Sequence, residues 1–106
     1  MTTFDKREEG FEQEFAHDEA LRFKATARRD KMLGLWAAQK LGLTGAAAEQ
    51  YATSLVSAEV EQGGNAVEQK IRKDFDAKGV ILSDHQLSRT MNDLMAQAIS
   101  DVKAGK

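Results

Sequence analysis

The chain has 106 residues, 15 lysines and arginines against 17 aspartates and glutamates for a net charge of −2, and neither cysteine nor proline. That length admits one domain with a modest core, and the lack of cysteine excludes disulfides, zinc-cysteine sites and thiol nucleophiles. The charge balance argues against a nucleic-acid binder, which needs a basic face to neutralise phosphates, and no apolar run is long enough for a signal segment or a membrane span, so the chain reads as cytoplasmic without direct membrane insertion.

High helix propensity nearly everywhere and the lack of strand-forming runs predict an all-α fold, a small four-helix bundle with a long first helix. The first element is expected from about Phe4 to Lys40, weakened at Gly10 and ending at Gly42. Its early part carries Phe4, Phe11 and Phe15 on one narrow stripe, with charge on every other face. The charges are sorted along it: residues 1–19 hold seven acids against Lys6 and Arg7, a net of −5, whereas residues 20–31 hold five bases against Asp30, a net of +4. Acid first and base second suits a helix dipole, and equally suits a docking surface. From Leu21 and Phe23 through Met32, Leu33, Leu35, Trp36 and Ala37 the apolar stripe broadens, as expected where a helix enters a core. We therefore divide the chain into an N-terminal segment, residues 1–19, expected to be a frayed or mobile arm when alone, and a helical bundle domain, residues 20–106.

The second helix is expected after Thr44 as cap, burying Tyr51, Ala52, Leu55, Val56 and Val60 and ending at Gly63 and Gly64. The third follows Asn65, with Glu68 placed to complete a cap and with Val67, Ile71 and Phe75 on its inner face before Gly79. The fourth has the strongest start signal: Ser83 as cap, Gln86 three residues on, and Leu82 placed to staple onto Leu87. Leu87, Met91, Leu94, Met95, Ala98, Ile99 and Val102 form its apolar stripe. Loops of two to five residues make neighbouring helices antiparallel.

Little in the chain points to catalysis. His17 and His85 stand in different segments without a metal-ligand spacing and read as solvated or capping residues, His17 beside Asp18 and Glu19 being placed to tune docking with pH. No serine or threonine has a partnered histidine, and the glycines form no phosphate-cradling loop, so they read as helix stops. Arg28, Arg29 and Lys31 form a basic cluster that reads either as a helix face paired with nearby acids or as a contact for an anion such as a nucleotide phosphate. Trp36 reads as a buried anchor, and the methionines as gap fillers.

The stretch FDKREEGFEQEFAHDEALRFKATARRDKMLGLWAAQKLGL, Phe4 to Leu43, closely resembles the ζ-subunit family of alphaproteobacterial F-type ATP synthase inhibitors; the likeness continues more weakly through Tyr51-Ala52, the segment Asp74 to Val80 and the last helix. The resemblance implies a four-helix protein, not an enzyme, whose N-terminal segment binds the catalytic head of the synthase and blocks ATP hydrolysis by impeding rotation. Carried onto this sequence, the inhibitory segment is about Thr2 to Glu19, with Phe4, Phe11 and Phe15 as anchors and Arg7, Glu14 and Asp18 as further contacts. It also implies a monomer when free, held near the inner membrane through the synthase, with no required cofactor. Two positions depart from the family pattern: Glu14 stands where many relatives carry a basic residue, and the loop at residues 61–65 replaces an acidic Pro-Gly turn. The alternatives are an adenine-nucleotide-binding bundle using Arg28, Arg29 and Lys31, and a helical adaptor for another assembly.

Overall fold

A computed structural model describes residues 18–63 and 65–106, which form four α-helices: α1 (Glu19–Lys40), α2 (Gly45–Gln62), α3 (Ala66–Lys78) and α4 (Asp84–Lys103). Among the described residues there is no strand. Helix α1 packs against both α2 and α4, and α3 packs on α2.

The segment of the expected first helix from Phe4 to His17 lies outside the described residues, as do the candidate contacts Phe4, Arg7, Phe11, Glu14 and Phe15. What is described begins with a defined helix start. Asp18 has extended backbone angles, φ −104° and ψ 102°, and its side chain accepts a hydrogen bond from the Leu21 amide. That is N-cap geometry, satisfying one of the amides that a first helical turn leaves without a partner. An extended residue cannot belong to a helix running through it, so α1 is a helix of 22 residues starting at Glu19.

The glycine stops behave as the spacing predicts. Gly42, at φ +80°, closes α1 with the Leu43 amide donating to the Ala38 carbonyl at 2.8 Å and the Gly42 amide to that of Gln39 at 3.2 Å. Gly79 repeats the arrangement after α3, where Val80 donates to Phe75 at 2.9 Å. Both need the left-handed backbone that a side chain disfavours.

Helix starts agree less uniformly. Ser83 accepts from the Gln86 amide at 3.0 Å, and Leu82 and Leu87 are both buried, so the cap and staple of α4 form. Thr44 and Asn65 occupy the cap positions of α2 and α3 but make no side-chain cap bond. At Asn65 the backbone is not extended, and the Ala66 amide is taken by the Gly63 carbonyl.

The core joins Leu33, Ala37 and Leu41 of α1, Leu55 of α2, Val67, Ile71 and Phe75 of α3, and Leu82 and Leu87. Each large side chain here stabilises the fold by about 1.5–3 kcal/mol relative to exposure. Several sequence expectations need correction. Trp36 is half-buried, not enclosed: its ring stacks on Phe75 at 6.1 Å while the Lys40 ammonium covers it at 5.2 Å from the centroid. Val60 and Phe23 were expected on the buried side, yet they are 61% and 58% exposed. Phe23 is exposed although Ala25, two residues on, is buried, so the two stand on different faces of α1, and Val60 lies beyond Leu55, the last buried apolar residue of α2.

Candidate functional site

The three cations of the sequence-predicted basic cluster do not converge. Arg28 donates its Nε–H to Asp101 of α4 at 3.1 Å and its Nη1–H to the Lys106 carbonyl at 3.0 Å. Arg29 donates to Asp30 through Nε at 3.0 Å and Nη2 at 2.7 Å, and its Nη2 also reaches Glu59 of α2 at 3.2 Å. Lys31 stands 3.3 Å from Glu49 in a largely exposed pair. Each base is turned toward an acid, and two of the three reach across to another helix with a guanidinium fork. An anion at this face would have to displace carboxylates already held at hydrogen-bond distance.

The pairs tie α1 to α4 and to α2. Asp101 is held below the usual carboxylate range by the hydrogen bond from Gln97 and by Arg28 and Lys106. Asp30 is the one charged side chain with no exposed surface among the described residues. Burial pushes its carboxyl up to about 6, against the pull of the Arg29 guanidinium and with the Glu59 carboxylate adding to the rise. Its Oδ2 is buried and has no hydrogen-bond partner among the described residues. The result is a compact Asp30–Arg29–Glu59 unit joining α1 to α2. Sequence reading passed over Asp30 because a lone acid in a basic stretch looks like a surface residue; its place on the Leu33 and Ala37 side of α1 was the available signal.

A second polar tie lies on the far side. The Tyr51 hydroxyl donates to Asp74 Oδ2 at 2.8 Å, and Lys70 reaches the same oxygen at 3.2 Å while lying 5.3 Å over the Tyr51 ring. Burial, together with Asp74, pushes the phenol pKa upward. This network fastens α3 to α2. Among the described residues no group of three metal-ligating side chains could hold an ion. His85 is exposed in the first turn of α4. His17 lies outside the described residues. No helix among the described residues is long and apolar enough to cross a membrane.

What remains at the N-terminal end is a capped helix start at Asp18, exposed Phe23 close by, and an acidic segment ahead of both. A family model for the ATPase inhibitor subunit zeta matches residues 1–101, so the match runs through that acidic segment and nearly to the end of α4. The chain belongs to that family. It is thereby placed among ATPase inhibitor subunits, in agreement with the resemblance seen in its first forty residues, and a set of inhibitors is not itself a set of catalysts. A search for curated relatives of the chain returns no match.

Proposed function

We propose that this ζ-family chain is a brake on ATP hydrolysis by the F-type ATP synthase, its N-terminal segment, Thr2 to Glu19, binding the catalytic head. The observation that carries the reading is the extent of the family match, which includes residues 1–17 as well as the bundle. The bundle supports it from the other side. Among the described residues a core cluster runs from Leu33 to Leu87, and α1 has its own N-cap at Asp18.

In this reading Phe4, Phe11 and Phe15 anchor the segment in a groove of the head while Arg7, Glu14 and Asp18 meet charges at its rim. A helix wedged between catalytic and rotor subunits opposes the closure and rotation on which hydrolysis depends, and no chemistry is asked of the inhibitor. The chain acts as a monomer recruited from the cytoplasm to the synthase at the membrane.

The test is ATP hydrolysis by the isolated synthase with the full chain, with a chain lacking residues 2–19, and with Phe11→Ala and Phe15→Ala. Loss of inhibition on truncation is expected, with weaker inhibition for each alanine variant. Unchanged inhibition by the truncated chain overturns the assignment.

A further inference from the structure

The two halves of α1 are held on the bundle in different ways. From Leu33 onward its buried face includes large apolar side chains of the core, but before Leu33 its buried residues are Ala25 and Asp30. A buried methyl group contributes little, so polar links carry a larger share of the attachment of this first half.

The link at Asp30 has an uneven charge count. The Arg29 Nη2 serves two carboxylates, donating to Asp30 Oδ1 at 2.7 Å and to Glu59 Oε1 at 3.2 Å, and the Arg29 Nε–H also goes to Asp30 Oδ1 at 3.0 Å. One base between two acids leaves one negative charge over. Asp30 has no exposed surface, and its Oδ2 has no hydrogen-bond partner among the described residues, so a charge on that oxygen is neither solvated nor satisfied. A neutral hydroxyl there costs less to bury than a carboxylate oxygen.

The neighbouring charges are engaged with one another. Arg29 of α1 and Glu59 of α2 are the groups that act on Asp30. Helix α4, which also packs on α1, presents Asp101, which accepts from Arg28 and Gln97, and Lys31 of α1 is paired with Glu49 of α2.

We propose that Asp30, Arg29 and Glu59 form a proton-operated clasp between α1 and α2. With a proton on Asp30 Oδ2 the three groups sum to zero charge, and Arg29 can hold Glu59 as well, fastening the first half of α1 to α2. With the proton gone, two carboxylates compete for one guanidinium in a site with little water. Asp30 is enclosed and next to Arg29 in the chain, so it keeps the guanidinium. The Glu59 side chain is 21% exposed, the most of the three, and turns to solvent. The link between the helices opens while the one within α1 stays. Burial of Asp30 beside Glu59 raises its carboxyl to about 6, which puts the change in the weakly acidic range.

Opening the clasp also alters a surface. Glu59 lines an apolar groove of about 910 Å³ together with Phe23 of α1, Val60 of α2, and Met95 and Ile99 of α4. The closed clasp neutralises that wall, and the open one adds a free carboxylate to it. The clasp is a property of the bundle and stands independently of the role proposed above.

Carboxyl carbon chemical shifts of the full chain across a pH series test it. Asp30 is expected to titrate near 6, with an inflection at the Glu59 carboxyl at that same pH. In Glu59→Gln the Asp30 midpoint is expected to fall toward the ordinary carboxylate value. The order parameter of the Glu59 γ-methylene is expected to drop as pH rises through the Asp30 midpoint, and in Asp30→Asn, which stays neutral, to remain high throughout. An Asp30 that titrates in the ordinary range, or whose midpoint is unmoved in Glu59→Gln, overturns the proposal. So does a Glu59 side chain that stays ordered while Asp30 loses its proton, which makes the three groups a fixed ion cluster. The measurements on the unsubstituted chain and on Glu59→Gln decide the matter even where Asp30→Asn fails to fold.

Discussion

Gly34 of α1 lies directly against Ala52 of α2: a methyl group added at Gly34 would stand 2.4 Å from the Ala52 Cα and 2.9 Å from its Cβ. No real contact is that short, so the two helices approach as closely as they do because position 34 has no side chain. This contact lies in the middle of the α1–α2 interface, the same interface that Asp30, Arg29 and Glu59 close at the end nearer the N-terminus.

Gly34→Ala is therefore expected to destabilise the bundle although alanine is the better helix former by about 1 kcal/mol. The neighbour is backbone and cannot rotate away, so the helices must separate, and overpacking of this kind costs about 1–3 kcal/mol net. Urea unfolding followed by circular dichroism measures it. Adding Ala52→Gly removes the Cβ clash but not the Cα clash, so the double variant is expected to recover little.

Removing the Asp18 cap should destabilise α1 by about 1 kcal/mol, because the Leu21 amide loses its acceptor. Hydrogen exchange at Leu21 reads this locally and thermal unfolding globally. Asp18→Asn keeps a capping oxygen and drops the charge. A chain with asparagine that folds normally but inhibits poorly would separate a contact role for the Asp18 charge from its structural one.

The raised Asp30 carboxyl fixes the direction of a pH dependence. A group with a folded-state pKa above its unfolded value binds more protons when folded, so its contribution is fully present below about 4 and lost as pH rises to about 6. Between those values the urea midpoint is expected to fall as pH rises, then level off. Asp30→Asn cannot titrate and should flatten the profile there. Asp101 is displaced the other way, so its contribution is present above the ordinary carboxylate value and lost on acidification below it. A profile that rises between pH 4 and 6 in the unsubstituted chain would contradict the burial of Asp30.

Tyr51 is the only tyrosine in the chain, so its phenol can be titrated by ultraviolet absorbance without overlap. Its deprotonation is expected above the usual phenol range, since burial and the Asp74 carboxylate both oppose a phenolate. Tyr51→Phe should return stability lower by about 0.5–1.5 kcal/mol for the lost hydrogen bond. The Lys70–Asp74 pair is internal to α3 and should survive that change.

Much of the fold was legible in local pattern. The i, i+4 spacing of Val67, Ile71 and Phe75 named the inner face of α3, and Ser83 with Gln86 named the start of α4 to the residue. These signals are readable because caps, turns and helix faces depend on neighbours within one or two turns. Asn65 and Thr44 show the limit: the right residue types stand at the right positions, but Asn65 lacks the extended backbone of a cap, and Thr44 has it yet makes no side-chain cap bond.

The candidate site was less legible. Arg28, Arg29 and Lys31 look like one basic patch along the chain, yet their partners, Asp101, Glu59 and Glu49, come from residues 18 to 73 positions away. Phe23 and Val60 were read as core, but the buried positions near them go to Ala25 on α1 and Leu55 on α2.

The spacing of apolar residues, caps and glycines by itself determined four helices with glycine stops. Those are properties of short stretches of chain, and the physics that decides them is local. Tertiary packing alone decided that Gly34 is a contact and not a stop, that Asp30 is buried beside Arg29 and Glu59, and that Phe23 and Val60 face an open groove. Each of these depends on how closely α1, α2 and α4 approach one another, a distance set by side chains that are far apart in sequence and meet only in the folded chain.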